Sequence, residues 1–162
     1  MNKNKNALSW IWLAVAVIGL DQLAKYFVIH NLNAGSVMHV LPFLNIIQRF
    51  NAGAAFSFLS NEGGWQIYVL SGIAVLVSFG LIVWLYRMPR YEWWNALPVS
   101  LVLGGALGNL IDRVRFGVVV DFIDFHVHNW HYATFNIADA AVCVGAAWLI
   151  LRLFYESIIS KS

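Results

Sequence analysis

Residues Gly104 to Asp139 read GGALGNLIDRVRFGVVVDFIDFHVHNWHYATFNIAD. Four of the chain's five aspartates fall here: Asp112, Asp121, Asp124 and Asp139. Apolar runs flank the stretch on both sides, so it reads as an acidic loop joining two membrane helices. Acids held at a membrane face are costly, and they are retained where they pair or do chemistry. This stretch is therefore the candidate site.

Composition sets the class. The chain has 162 residues, of which 60% are hydrophobic and only 11% charged, less than half the roughly 25% usual in soluble domains. Its mean hydropathy is +0.69. These values indicate a polytopic membrane protein. A net charge of +2 is too small to argue for a nucleic-acid partner, and it reflects lysines and arginines near helix ends. Eight tryptophans suit interfacial belts. The lone cysteine, Cys143, cannot close an internal disulfide, and its apolar neighbours suggest a small buried residue. No Cys/His framework for a metal is evident.

Four apolar segments are long enough to cross about 30 Å of hydrocarbon: residues 7–29, 66–86, 93–111 and 135–153. Two long loops, 31–64 and 112–134, separate them. The expected fold is an all-α membrane protein forming a single domain over 1–162. A cleaved leader at the N-terminus is a competing reading, because Lys3 and Lys5 precede an apolar run containing Ala14-Val15-Ala16. Lys3, Lys5, Arg87, Arg90 and Lys161 lie on one side with Arg152 nearby, whereas Arg49, Arg113 and Arg115 lie on the other. The positive-inside rule then puts both termini in the cytoplasm and both long loops outside. In the first loop, 44–50 has strand character, Asn51-Ala52-Gly53 is turn-like, and 54–59 is apolar. A small hairpin or sheet lying on the membrane is expected. Gly104-x-x-x-Gly108 allows close helix packing, and Ala141 and Gly145 give the fourth span a matching small face. Packing of spans three and four brings their outer ends together.

Asp121 and Asp139 stand out as a pair. One ends the apolar run Val118-Val119-Val120 in the loop, and the other lies in the first turn of the fourth span. Two carboxylates in contact cannot both ionise easily, so one keeps a proton near neutral pH. One can then activate water while the other protonates the carbonyl or the leaving amine, which needs neither metal nor cofactor. Bland alternatives exist for both. Asn136-x-x-Asp139 has the spacing of a capping box, and Asp121 could pair with Arg113 or Arg115. Asn109, Asp112 and Arg113 share a helix face, where an Asp112–Arg113 ion pair is the simplest reading and positioning of substrate or of a catalytic Asp the sharper one. Asp21 and Lys25 can pair four residues apart, with Lys25 snorkelling to the interface, as a structural pair or as a tether of the site. Asp124, His126 and His128 alternate, with His131 nearby, and they form the best alternative metal set.

These residues fall in five ordered motifs: Asp21-Gln22-x-x-Lys25, Asn51-Ala52-Gly53-Ala54-Ala55-Phe56-Ser57, Gly104-Gly105-Ala106-x-Gly108-Asn109-x-x-Asp112-Arg113, Val119-Val120-Asp121-Phe122 and Phe135-Asn136-x-Ala138-Asp139. With them, nearly the whole chain resembles the bacterial lipoprotein signal peptidases (signal peptidase II). The resemblance implies an aspartic endopeptidase of the bacterial cytoplasmic membrane. Such an enzyme cuts the signal peptide from a prolipoprotein just before a diacylglyceryl-modified cysteine. Asp121 and Asp139 match the family's catalytic dyad. Asp21, Lys25, Asn51, Gly53, Asn109, Arg113, Asn136 and Ala138 match positions that support the site or the substrate. The resemblance also implies a small extracytoplasmic β-sheet and a short amphipathic helix from the first loop, contact with membrane lipids, and inhibition by globomycin. A monomer is expected. His126, His128 and His131 match no family motif and receive no role.

Overall fold

The computed structural model describes residues 6–33, 35–53 and 64–159. A 3-10 turn, Ala7–Trp10, leads into α1 (Ile11–Asn31). Strands β1 (Val37–Leu41) and β2 (Leu44–Asn51) follow. Helices α2 (Trp65–Arg87) and α3 (Trp93–Phe116), strands β3 (Val119–Val127) and β4 (Trp130–His131), and helix α4 (Ile137–Ile159) complete the chain. All four helices are long and apolar enough to cross a membrane.

Helix α3 is the most enclosed of the four and α2 the least. Its glycines explain the close approach. A Cβ on Gly104 would meet the Ala14 carbonyl and Val17 of α1 at 2.8 Å. One on Gly105 would collide with the Ala138 carbonyl and come within 2.6 Å of Val142 in α4. Gly145 repeats this toward Pro98 and Val102. Small residues thus bring helix backbones into direct contact, which is how membrane helices associate when no hydrophobic driving force separates them from lipid. Pro98 is tolerated because it lies in the second turn of α3, near its start. At the far end from the sheet, the Ala7 N–H donates to the Met88 carbonyl at 2.9 Å. This ties the start of the chain to the α2–α3 connector.

A four-stranded antiparallel sheet, ordered β1-β2-β3-β4, covers the opposite end. "All-α" is therefore too coarse a class for this chain. The first loop thus contributes to a small sheet, as expected. β2 pairs with the preceding β1 through a turn at Pro42-Phe43 and with the distant β3, where Arg49 lies opposite Asp121 and Asn45 opposite Asp124. The apolar run at 54–59 lies outside the described residues, as does the rest of 54–63. The described part of the first loop contains no short helix.

Helix α3 runs to Phe116, not Ile111, and Gly117 closes it with φ +72. Glycine at that position adopts the left-handed conformation without a Cβ penalty. Asp112, Arg113 and Arg115 are thus helical residues. Residues 119–127, read as loop, form a strand whose first four residues are buried.

Candidate active site

Four elements meet beneath the sheet: the second half of α1, the last turns of α3, the start of β3 and the first turn of α4. Their polar side chains form one network. Lys25 is 2% exposed and makes 2.7 Å ion pairs to Asp21 and Asp112, both wholly buried. It does not snorkel, because two buried carboxylates hold it. Asp112 pairs with Lys25 and not with Arg113. It also accepts from Gln22 Nε2 at 2.7 Å and from the Val120 N–H at 3.0 Å. Among the described residues no carboxylate lies within ion-pair distance of Arg113 or Arg115, so the Asp121–arginine pair is absent too.

Asp139 and Asn136 form a reciprocal capping box. The Asp139 N–H donates to Asn136 Oδ1 at 2.8 Å, and the Asn136 N–H donates to Asp139 Oδ2 at 3.2 Å. The cap does not use up either side chain. Asn136 Nδ2 donates to Asp121 Oδ1 at 2.8 Å, and Asn109 Nδ2 donates to Asp139 Oδ1 at 2.7 Å. Asn51 Nδ2 reaches Asp121 Oδ2 at 2.8 Å. Capping and convergence on Asp121 therefore coexist at one helix start.

The three asparagines share a logic. Each amide oxygen accepts from a group that can only donate: Asn51 from the Gly53 N–H at 2.9 Å, Asn109 from Lys25 Nζ at 3.2 Å, and Asn136 from the Asp139 N–H. Each amide is thereby fixed in orientation, and its NH2 faces a carboxylate. Gly53 holds its turn with φ +112, which favours glycine. Ala138 contributes its backbone N–H, which donates to Asp21 Oδ1 at 2.9 Å.

Asp121 and Asp139 both line a cavity of about 760 Å³. Its walls are largely apolar, with Phe50, Leu70, Val119, Tyr132 and Phe135, and it also carries Arg49 and Arg113. Burial pushes the Asp121 carboxyl up to about 6, and the neighbouring Asp139 charge adds to this against the hydrogen bonds from Asn51 and Asn136. Asp139 is half-buried at a helix N-terminus, where the helix dipole favours negative charge. Cys143, one turn beyond Asp139, is exposed and lines the cavity instead of filling a core.

The histidines lie apart from this cavity. His131 Nδ1 bonds to Asp124 at 2.8 Å, and its ring stacks on His126 at 5.1 Å. Burial works to raise the Asp124 carboxyl, but the hydrogen bonds from His131 and Asn45 leave it below the usual carboxylate value. His128 sits in the turn with φ 52, so the alternation does not carry it onto the same face. Among the described residues no three His, Cys, Asp or Glu side chains are grouped to hold a metal ion.

Gln22 was not singled out for the site by sequence, and Asp112 only as a member of the α3 cluster with Asn109 and Arg113, without its partners in α1 and β3. The motif spacing contained both, but the two lie 90 residues apart in the chain.

A family model described as Signal peptidase (SPase) II matches residues 13–155. A Lipoprotein signal peptidase of Coxiella burnetii (strain Dugway 5J108-111) is 54% identical over 151 residues, covering 93% of each chain. One of Escherichia coli O157:H7 is 47% identical over 150 residues, covering 93% of this chain and 92% of the relative. A solved structure described as a bacterial membrane enzyme, at 2.3 Å resolution, superposes with a TM-score of 0.84 and 33% identity, over 97% of this chain and 94% of that one.

Proposed function

The chain belongs to the signal peptidase II family, and from that premise we propose that Asp121 and Asp139 form its catalytic dyad. Membership alone makes it a membrane peptidase that removes signal peptides from prolipoproteins. The finer reading is hydrolysis of the peptide bond just before a diacylglyceryl-modified cysteine. The observation that carries it is the shared hold of Asn136, which joins the two carboxylates at the wall of one cavity.

Before attack, Asp121 carries the dyad's proton. Each acid accepts two hydrogen bonds, but Asp121 is the more deeply buried and burial pushes its carboxyl up, whereas Asp139 sits at a helix N-terminus. A water between them gives a proton to Asp139 as it attacks the scissile carbonyl, and Asp121 protonates the carbonyl oxygen. Collapse of the tetrahedral intermediate returns the Asp121 proton and moves the Asp139 proton to the leaving amine. Asn51, Asn109 and Asn136 fix the carboxylates in place. Arg113, half-buried in the wall, steadies negative charge during the reaction. Gly53 lets the chain turn beside the substrate, and Asp21, Lys25 and Ala138 brace the site from behind.

The apolar cavity wall suits a lipidated cysteine and the end of a signal helix, with the acyl chains left in the bilayer. Both termini are cytoplasmic in this reading, the sheet faces outward, and the chain acts as a monomer. Globomycin blocks it by occupying the dyad. The test is cleavage of a lipidated prolipoprotein peptide by purified protein, with and without globomycin. Asp121→Asn and Asp139→Asn should each lose at least about 1,000-fold, the scale seen when a member of a catalytic constellation is removed. Full activity in either variant would sink the assignment.

A further inference from the structure

Three buried charged groups sit behind the proposed dyad, and their hydrogen bonds form a pattern. Asp112 Oδ2 accepts the N–H of Val120, the residue just before Asp121. Asp21 Oδ1 accepts the N–H of Ala138, the residue just before Asp139. Lys25 Nζ joins these two acids at 2.7 Å each and also fixes the amide of Asn109, which donates to Asp139. The strand bearing one aspartate and the helix bearing the other are thus tied to a single ammonium group. We infer that Asp21, Lys25 and Asp112 are a positioning clamp that sets the separation of Asp121 and Asp139; this rests on the dyad reading above.

The clamp is built to resist movement. Asp21 and Asp112 are 0% exposed and Lys25 2%, and buried ion pairs hold firmly only when every oxygen is satisfied. Here each one is. Gln22 Nε2 takes the remaining oxygen of Asp112 at 2.7 Å, which makes Gln22 part of the same device. The glycines of α3 remove the slack between helices. A Cβ on Gly108 would lie 3.0 Å from Asp21 Oδ2 and 3.2 Å from the Ala138 Cβ.

The two acids differ in one respect that gives a test. Asp112 uses a single oxygen, Oδ2, for both Lys25 and Val120. Asp21 uses separate oxygens, Oδ2 for Lys25 and Oδ1 for Ala138. Asp112→Asn can keep both contacts through one carbonyl oxygen, and only the Gln22 amide must turn over to meet the new NH2, giving up its longer contacts to the Gly108 carbonyl at 3.3 Å and to Asp21 and Arg115 at 3.4 Å. Asp21→Asn must point its NH2 at either the lysine or the Ala138 N–H, and it loses one hold. Both variants remove the same buried negative charge, so an account based on charge alone predicts equal effects.

The experiment measures kcat and KM on a lipidated prolipoprotein peptide, with amide hydrogen exchange at Val120 and Ala138, in the full-length protein in micelles. Asp21→Asn should lose about 100-fold in kcat, the scale of an ångström misplacement, with KM nearly unchanged, whereas Asp112→Asn, with both amides still protected, should lose about tenfold less than that. Exchange at Ala138 should accelerate in Asp21→Asn. Asp112→Ala should resemble Asp21→Asn, with Val120 the amide released; if it does not fold, the two Asn variants still decide. Equal kcat values in the Asn pair, a loss carried by KM, or faster exchange with unchanged kcat each overturn the clamp. Asp121→Asn and Asp139→Asn run alongside judge the dyad itself, and the exchange rates judge the clamp independently of them.

Discussion

Asn136 Nδ2 donates to Asp121 Oδ1 at 2.8 Å while its own Oδ1 caps helix α4 at the Asp139 N–H. One side chain therefore serves the stability of a helix and the geometry of two acids. The two duties can be separated experimentally.

Serine is as good a helix cap as asparagine but has no amide to offer Asp121. Asn136→Ser should lose about 100-fold in kcat through misplacement of the acids, yet cost no more than about 1–2 kcal/mol in stability. Thermal unfolding beside cleavage assays checks this, and a parallel loss of both would show that the cap is the whole effect.

The pH dependence of stability carries a sign. The Asp121 carboxyl titrates in the folded chain at about 6 against an ordinary value of 3.8. The folded state thus binds that proton more tightly, and its contribution is complete below pH 4 and lost as pH rises through about 6. Asp121→Asn lacks this group. Its melting temperature relative to the parent should climb between pH 4 and pH 7 and then level off. A constant difference across that range would place the titration elsewhere.

Gly105→Ala puts a methyl group against the Ala138 carbonyl and 2.6 Å from Val142. Helix α4 must retreat from α3, at a cost of about 1–3 kcal/mol for overpacking. The first turn of α4 carries Asp139, so kcat should fall along with the melting temperature. Gly72→Ala, in α2 with nothing within 4 Å of its added Cβ, is the control and should leave both unchanged.

A chelator should not affect cleavage, and His131→Ala should leave kcat within about threefold of the parent, since surface substitutions away from a site rarely matter. His131 is half exposed and its bond goes to Asp124, away from the cavity. Inactivation by chelator would return the histidines to consideration.

The four apolar helices are legible from hydropathy, because lipid imposes one requirement along their whole length. The small-residue faces of α3 and α4 are legible for the same reason, since close approach needs Gly at fixed spacing. The charged end of α3 is not. Hydropathy ends the span at Ile111 although Asn109, Asp112 and Arg113 keep helical spacing, and Lys25 and Gln22, the α1 residues that hold Asp112, lie about 90 residues away. Strand β3 was hidden because its partner β2 lies about 70 residues upstream, and pairing at that distance leaves no local period. The Asn136–Asp139 spacing disclosed the cap correctly, but spacing cannot reveal that the same side chain also reaches Asp121. The third asparagine, Asn51, could be nominated only through motif resemblance.

Helix α3 presents its contacts in strict rotation: Gly104 and Gly105 against neighbouring backbones, Gly108 against the Asp21 and Ala138 side chains, then Asn109 and Asp112 against the polar network. Each further residue in a helix turns the chain by about 100°. A single insertion between Leu103 and Asp112 would therefore swing every later contact out of phase at once. Such a change cannot be absorbed by local adjustment, whereas the connector at 88–92 can change length without altering the phase of either helix. Substitutions alone are then the route by which residues 104–113 can diverge, and differences in length among related chains should accumulate in the connectors.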